Sequence, residues 1–123
     1  MIMKSYTDIK QSKKLAEILP LESADMIYLY WINSRIKKEG IDDIPTIRGE
    51  LPIQKGDIPC WSLAALLNVL PNGSDVVKEE TDTENEKYMC TVGVRNDIIS
   101  TFADNTVDAC YEMIIKLHEL NLL

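Results

Sequence analysis

The stretch PCWSLAALLNVLP, from Pro59 to Pro71, carries the helix pattern around which the fold is predicted. Its leucines recur at intervals of three and four residues, as on one face of a helix: Leu63, Leu66, Leu67 and Leu70. Alanines and a valine make most of the remaining circumference apolar, which is typical of a helix surrounded by other elements. Pro59 suits the first turn, and Pro71 forces the exit. We therefore predict a central apolar helix near residues 62–70.

Two further helices are predicted, one on each side of this stretch. The first runs from Asp8 to Leu19, with Thr7 as its cap and Pro20 closing it. The last begins near Asn105, a good cap, with Asp108 at the third helical position. Its predicted buried stripe consists of Val107, Cys110, Tyr111, Ile114 and Leu117.

The stretch Met26–Ile32 is rich in aromatic and β-branched residues and favours a strand, with Ile27, Leu29 and Trp31 on one side. A helix from Ser23 to Glu39, stopped at Gly40, is the alternative. Glycines and prolines mark residues 33–57 as rich in loops, with a short strand at Thr46–Leu51.

The clearest β pattern lies in the second half of the chain. Tyr88, Cys90, Val92 and Val94 alternate with smaller or more polar residues, and Ile98–Ala103 returns after a turn. This predicts a hairpin with one face inward. Val76 and Val77 are assigned to an edge strand.

These elements predict an α+β fold. About three helices pack on a mostly antiparallel sheet of three to five strands. A chain of 123 residues suits a single globular domain, so residues 1–123 are assigned to one.

The formal net charge of −7 is unevenly distributed. Residues 1–57 carry nine basic and nine acidic side chains, whereas residues 58–123 carry four and eleven. Such a surface repels phosphate backbones, so no nucleic-acid partner is expected. The acidic part of the stretch 75–86 predicts an exposed connection. Asp82, Glu84 and Glu86 alternate as in a calcium loop, but Lys87 stands where that loop needs glycine.

Three cysteines, Cys60, Cys90 and Cys110, cannot all pair within one chain, and none belongs to a C-x-x-C motif. Free, mostly buried thiols in the cytoplasm are therefore expected. The first residues lack the apolar core of a signal peptide, and no apolar run approaches the roughly 20 residues that span a bilayer. No membrane partner is expected.

Cys60 is the residue to weigh as a nucleophile, because a helix N-terminus lowers the pKa of a thiol. A cysteine hydrolase also needs a base, and the single histidine, His118, lies far along the chain. A small buried residue beside Trp61 is the interpretation we prefer. One histidine and no paired cysteine spacing argue against structural zinc. The sequence therefore names no catalytic, cofactor-binding or metal residues.

Three blocks resemble a family of small uncharacterised proteins encoded in gut-bacterial genomes and in their phage or mobile elements. They are KLAEILPLESADM (Lys14–Met26), the stretch Pro59–Pro71, and DACYEMIIKLHELNLL (Asp108–Leu123). The resemblance implies an accessory protein of a mobile element and assigns no residue roles.

Three functions follow as hypotheses. The leading one is a non-enzymatic accessory or protein-interaction protein, with an unidentified protein partner and possible homo-oligomerisation. The second is an acidic inhibitor that mimics nucleic acid and occupies a basic host protein. The third is a thiol enzyme that uses Cys60.

Overall fold

The computed structural model describes residues 4–79 and 87–123, and within them the predicted α+β class is confirmed. The helices are α1 (Ile9–Ala16), α2 (Leu63–Val69) and α3 (Thr106–Glu119), with a 3₁₀ turn at Leu21–Ser23. The strands are β1 (Met26–Tyr28), β2 (Tyr30–Asn33), β3 (Lys38–Ile41), β4 (Thr46–Ile47), β5 (Ile58–Cys60), β6 (Asp75–Glu79), β7 (Lys87–Val94) and β8 (Asp97–Ala103). All strand pairs are antiparallel, and they form three small sheets rather than one.

The chain divides into two compact units. The N-terminal unit is Thr7–Ser62, and the C-terminal unit joins residues 4–6 to Leu63–Leu123. That the whole chain is one domain stays a prediction. None of the helices in the described ranges has the length and apolarity needed to cross a membrane.

In the N-terminal unit, α1 packs on β5, the edge of a sheet in the order β4-β1-β5. Asp8 caps α1, not Thr7 as predicted: its carboxylate accepts from Gln11 N at 2.7 Å, and Gln11 Oε1 accepts from Asp8 N at 3.0 Å. Thr7 is fully buried and bonds elsewhere. The helix ends at Ala16, earlier than the predicted Leu19.

The stretch Met26–Ile32 is extended, so the predicted strand is confirmed and the helical alternative is wrong. It breaks at Leu29, however, into β1 and β2, which belong to different sheets. The reason is that Tyr30 donates its backbone N–H to Asp57 Oδ1 at 2.9 Å instead of continuing the ladder. The predicted alternation therefore fails.

Strand β1 is the middle strand of its sheet, and both Ile27 and Tyr28 are buried. Beyond the break, Trp31 is 41% exposed. Strand β2 pairs with β3, a strand that the sequence did not predict, and the predicted strand Thr46–Leu51 shortens to β4.

Helix α2 lies where it was predicted and packs on α3 within the C-terminal unit. Two details of the prediction are wrong. Pro59 lies in strand β5 rather than in the first helical turn. The helix is also not buried all round, because Leu66 is fully buried while Ala64 and Leu67 are exposed.

In the C-terminal unit the predicted hairpin is confirmed as β7–β8, turning at Arg95, whose φ is +55°. Strand β6 pairs with the other side of β7 as the predicted edge strand. The Asn105 side chain caps α3 by accepting from Asp108 N at 2.8 Å, as predicted. Of the predicted stripe on α3, all but the half-buried Tyr111 are fully buried: Val107, Cys110, Ile114 and Leu117.

Candidate functional site

The first candidate, Cys60, is fully buried in strand β5 of the N-terminal unit. Its thiol donates to the Thr7 carbonyl oxygen at 3.4 Å and lies 3.6 Å from Thr7 Oγ1. Because Cys60 lies in β5 and α2 begins only at Leu63, Cys60 is not in the first turn of that helix, which corrects the sequence argument. Burial instead raises the pKa of the thiol, more than nearby hydroxyls lower it. His118 is exposed in the last turn of α3, in the other unit.

The polar groups around Cys60 serve the fold of the N-terminal unit. Thr7 Oγ1 lies 2.8 Å from Ser12 Oγ and accepts from Trp61 N at 3.2 Å. The Thr7 carbonyl oxygen also accepts from the Tyr28 hydroxyl at 2.8 Å. These bonds satisfy buried hydroxyls that would otherwise be destabilising. The arrangement is a buried network of hydroxyl, carbonyl and thiol groups, and the charge of the nearby Asp25 carboxylate adds to the raised pKa of the Cys60 thiol.

Cys90 and Cys110 face each other between β7 and α3, and both are fully buried. The hydrogen bond to Cys90, together with burial, raises the pKa of the Cys110 thiol. All three cysteines are free and buried, which confirms the expectation of free, buried thiols. Cys90 and Cys110 act as small core residues.

Within residues 4–79 and 87–123 no three or more histidine, cysteine or carboxylate side chains cluster so as to hold a metal ion. The calcium-like residues Asp82, Glu84 and Glu86 lie outside the described residues.

A cleft of about 330 Å³ opens in the N-terminal unit, and sequence reasoning did not find it. It is lined by Leu29, Tyr30, Leu51, Pro52, Gln54, Lys55 and Asp57. One wall is held by the Asp57 carboxylate, which accepts from Tyr30 N and from Gln54 N, each at 2.9 Å. The only sequence signal for this loop is the Gly56-Asp57 pair, which predicts a turn but no partner for it.

Tyr30 lines the cleft, and Gly56 leaves room for its ring. Gly56 has a φ of +95°, and a Cβ there would lie 2.7 Å from Tyr30 Cγ. The phenol donates to Glu39 Oε2, and this bond raises the pKa of Tyr30. The ring is therefore held at both ends.

Three exposed aliphatic residues are bonded to Arg48 through their carbonyl groups or stand next to it in the sequence. Leu21, Ile47 and Leu51 are 44%, 76% and 50% exposed. The Arg48 side chain donates to the carbonyl oxygens of Leu21 at 2.8 Å, Ala24 at 3.1 Å and Leu51 at 2.8 Å. One guanidinium group thus fixes the segments that carry these leucines. We call Leu21, Ile47, Leu51 and the adjoining cleft the Leu51 surface.

Comparison of the chain with protein-family models, with curated proteins and with solved structures finds no match. Function is therefore inferred from the residues themselves. Among the described residues, the Leu51 surface has the features that interfaces combine: an apolar centre, a concave pocket and a polar rim, here of Gln54, Lys55 and Asp57.

Proposed function

We propose that this protein is a non-enzymatic accessory protein of a mobile element and that it acts by binding another protein through the Leu51 surface. The observation that carries this proposal is the cleft lined by the exposed Leu51, in a loop that Asp57 ties to Tyr30 and that Arg48 ties to the segment of the exposed Leu21. Apolar side chains left exposed together are a common sign of a protein-binding site.

The geometry suits one large side chain of a partner. Interface energy concentrates where an aromatic or aliphatic group fills a pocket from which water is excluded. Leu29, Tyr30 and Pro52 line the cleft and would contact such a group. Lys55 and Asp57 also line it and would make polar contacts with the partner. A fixed pocket also lowers the entropy lost on binding, since the loop is already tied to Tyr30.

An enzymatic role has less support. The Cys60 thiol is fully buried, its pKa is raised, and its hydrogen-bond partners are the hydroxyl and carbonyl oxygens of Thr7 rather than a base. A thiolate is the reactive form of cysteine, and burial disfavours it. The acidic-mimic hypothesis depends on carboxylates at 79–86, and residues 80–86 lie outside the described ranges.

The setting in a mobile element rests on the three sequence blocks that resemble gut-bacterial proteins. We propose the cytoplasm as the location, which three free thiols support.

The test is a capture experiment with two matched variants, Leu51→Asp and Ile36→Asp. Both residues are exposed aliphatics of the N-terminal unit, 50% and 60%, but only Leu51 lines the cleft. A protein captured from a gut-bacterial host by the wild type is purified and its affinity measured by calorimetry. We expect Leu51→Asp to weaken binding at least tenfold and Ile36→Asp to leave it unchanged. Equal binding by both variants, or the absence of any such partner, would overturn the proposal.

A further inference from the structure

The hairpin β2–β3 of the N-terminal unit carries the indole of Trp31 flat on its surface. Trp31 pairs with Gly40, and a Cβ at Gly40 would lie 2.7, 3.0 and 3.3 Å from Trp31 Cζ2, Cε2 and Cη2. In an edge-on contact the two flanking ring atoms would be much farther away than the nearest one. The glycine therefore meets the face of the ring. The opposite face is turned away from the hairpin, and the side chain is 41% exposed.

The turn of this hairpin, residues 33–38, carries three cations and no acid. The cations are Arg35, Lys37 and Lys38, and all three are exposed. The Asn33 side chain holds the turn by accepting from Arg35 N at 3.1 Å. In the parts of the chain that the structure describes, none of the three cations forms an ion pair. Because residues alternate between faces along a strand, Lys38 lies on the face of Trp31, about 7 Å along β3 from the residue opposite it.

The acidic side chains of the hairpin region lie elsewhere. Glu39 alternates onto the opposite face, where it accepts from the Tyr30 hydroxyl. Asp42 and Asp43 follow β3, on the far side of Trp31 from the turn. The surface around the indole is therefore positive toward the turn and negative toward the base of the hairpin.

We propose that this hairpin binds single-stranded nucleic acid, with one unpaired base stacked on the open face of Trp31 and the phosphates directed toward Lys38 and the turn. Proteins that hold single strands without reading their sequence combine exposed aromatic rings for the bases with cations for the backbone. A duplex keeps its bases stacked on one another, out of reach of the indole. A free nucleotide would need a concave site around it, whereas this ring lies open on a hairpin.

Two other properties of the chain bear on this ligand. The net charge of −7 predicts no nucleic-acid partner for the chain as a whole, but charges act over only about 8 Å at physiological salt, so the local cations decide what the turn attracts. A bilayer is disfavoured, because Ile32 lies on the face opposite Trp31 and the two cannot enter lipid together. The proposal does not rest on the Leu51 surface, since Tyr30, which lines that cleft, also lies on the opposite face.

The test is binding of the full chain to a fluorescein-labelled strand of about 12 nucleotides, followed by fluorescence anisotropy. Oligothymidylate and oligouridylate are compared with a duplex of equal length and with vesicles of phosphatidylserine and phosphatidylcholine. We expect single strands to bind with a dissociation constant on the order of 10–100 micromolar at low salt. Three phosphate contacts predict that the logarithm of affinity falls with the logarithm of salt concentration at a slope of about −2. The tighter of the two single strands identifies the sugar.

Matched variants separate stacking from charge. Trp31→Ala should weaken binding about tenfold, Gly40→Ala should weaken it by displacing the ring, and Trp31→Phe should recover most of the affinity. Ile32→Ala, on the opposite face, is the control and should bind as the wild type does. Lys38→Glu should weaken binding and reduce the salt slope to about −1.4 or less. Lys10→Glu makes the same charge change at an exposed position of α1 and should leave binding unchanged.

Strand binding should also quench tryptophan emission. The quenching would report on Trp31, because Trp61, the other tryptophan, is fully buried. The proposal is overturned if no single strand binds at about 1 mM, well above the usual range of non-specific binding. It is equally overturned if Trp31→Ala binds like the wild type with an unchanged circular dichroism spectrum, or if the duplex or the vesicles bind more tightly than both single strands.

Discussion

Adjacent leucines of α2 allow a controlled test of the packing described for the C-terminal unit. Leu66 is fully buried, whereas its neighbour Leu67 is 37% exposed. The sequence alone treats them alike, as two members of one apolar helix. We predict that Leu66→Ala destabilises the protein strongly and that Leu67→Ala does so weakly.

The magnitudes follow from burial. Leucine to alanine removes groups worth about 0.8 kcal/mol per buried methylene, and a cavity adds to this, so Leu66→Ala should cost about 2–5 kcal/mol. Leu67 loses less burial and leaves no closed cavity, so its replacement should cost roughly 1 kcal/mol. Alanine is also a slightly better helix former than leucine, which offsets a few tenths of that loss.

The assay is urea unfolding followed by circular dichroism. The α3 helix, the longest in the described ranges, belongs to the same unit as α2 and packs on it, so the helical signal reports on this unit. Since denaturant slopes for small proteins are about 1–3 kcal/mol per molar, Leu66→Ala should lower the midpoint by about 1 M or more. Equal midpoints for the two variants would refute the packing argument.

Three further predictions concern single groups. A disulfide-exchange reagent should label native Cys60 far more slowly than the unfolded protein, because burial raises the pKa of its thiol; fast native labelling would contradict this. Gly40→Ala should displace the Trp31 indole and shift tryptophan emission to longer wavelength, because a Cβ would lie 2.7 Å from Trp31 Cζ2; an unchanged spectrum would count against it. Tyr30 should ionise above the ordinary tyrosine pKa of about 10, and Glu39→Gln should lower that midpoint, as followed by phenolate absorbance. The hydrogen bond to Glu39 contributes fully to stability below the ordinary tyrosine pKa, and this contribution is lost as pH rises through the raised pKa of Tyr30. Identical titrations of the wild type and Glu39→Gln would exclude the bond.

Local patterns account for the parts of the fold that the sequence predicted. The β7–β8 hairpin follows from alternation between Tyr88 and Val94, and the start of α3 follows from Asn105 capping Asp108. Both depend on residues close together in the chain. A single sequence is informative at that range.

Contacts between distant residues account for what the sequence missed. The break at Leu29 depends on Asp57, which lies 27 residues beyond Tyr30. Pro59 fits a first helical turn and an edge strand equally well, since neither position needs its N–H, and only the pairing with Ile27 decides. The Leu51 surface was not predicted for the same reason. The Arg48 side chain donates hydrogen bonds to the carbonyl groups of Leu21 and Leu51, which belong to segments that look like unrelated loops in the sequence.

The hydrogen bond from Thr7 N–H to the Trp61 carbonyl, at 2.9 Å, joins the two points at which the chain enters and leaves the N-terminal unit. The two segments of the C-terminal unit are also joined where the chain is interrupted, since Leu63 N–H donates to the Ser5 carbonyl at 3.2 Å. In chain order, the N-terminal unit is therefore an insertion between two segments of the C-terminal unit, in the position of a loop. Because the entropy of loop closure grows only logarithmically with length, the length of the inserted segment adds little to the free-energy cost of bringing Ser5 and Leu63 together.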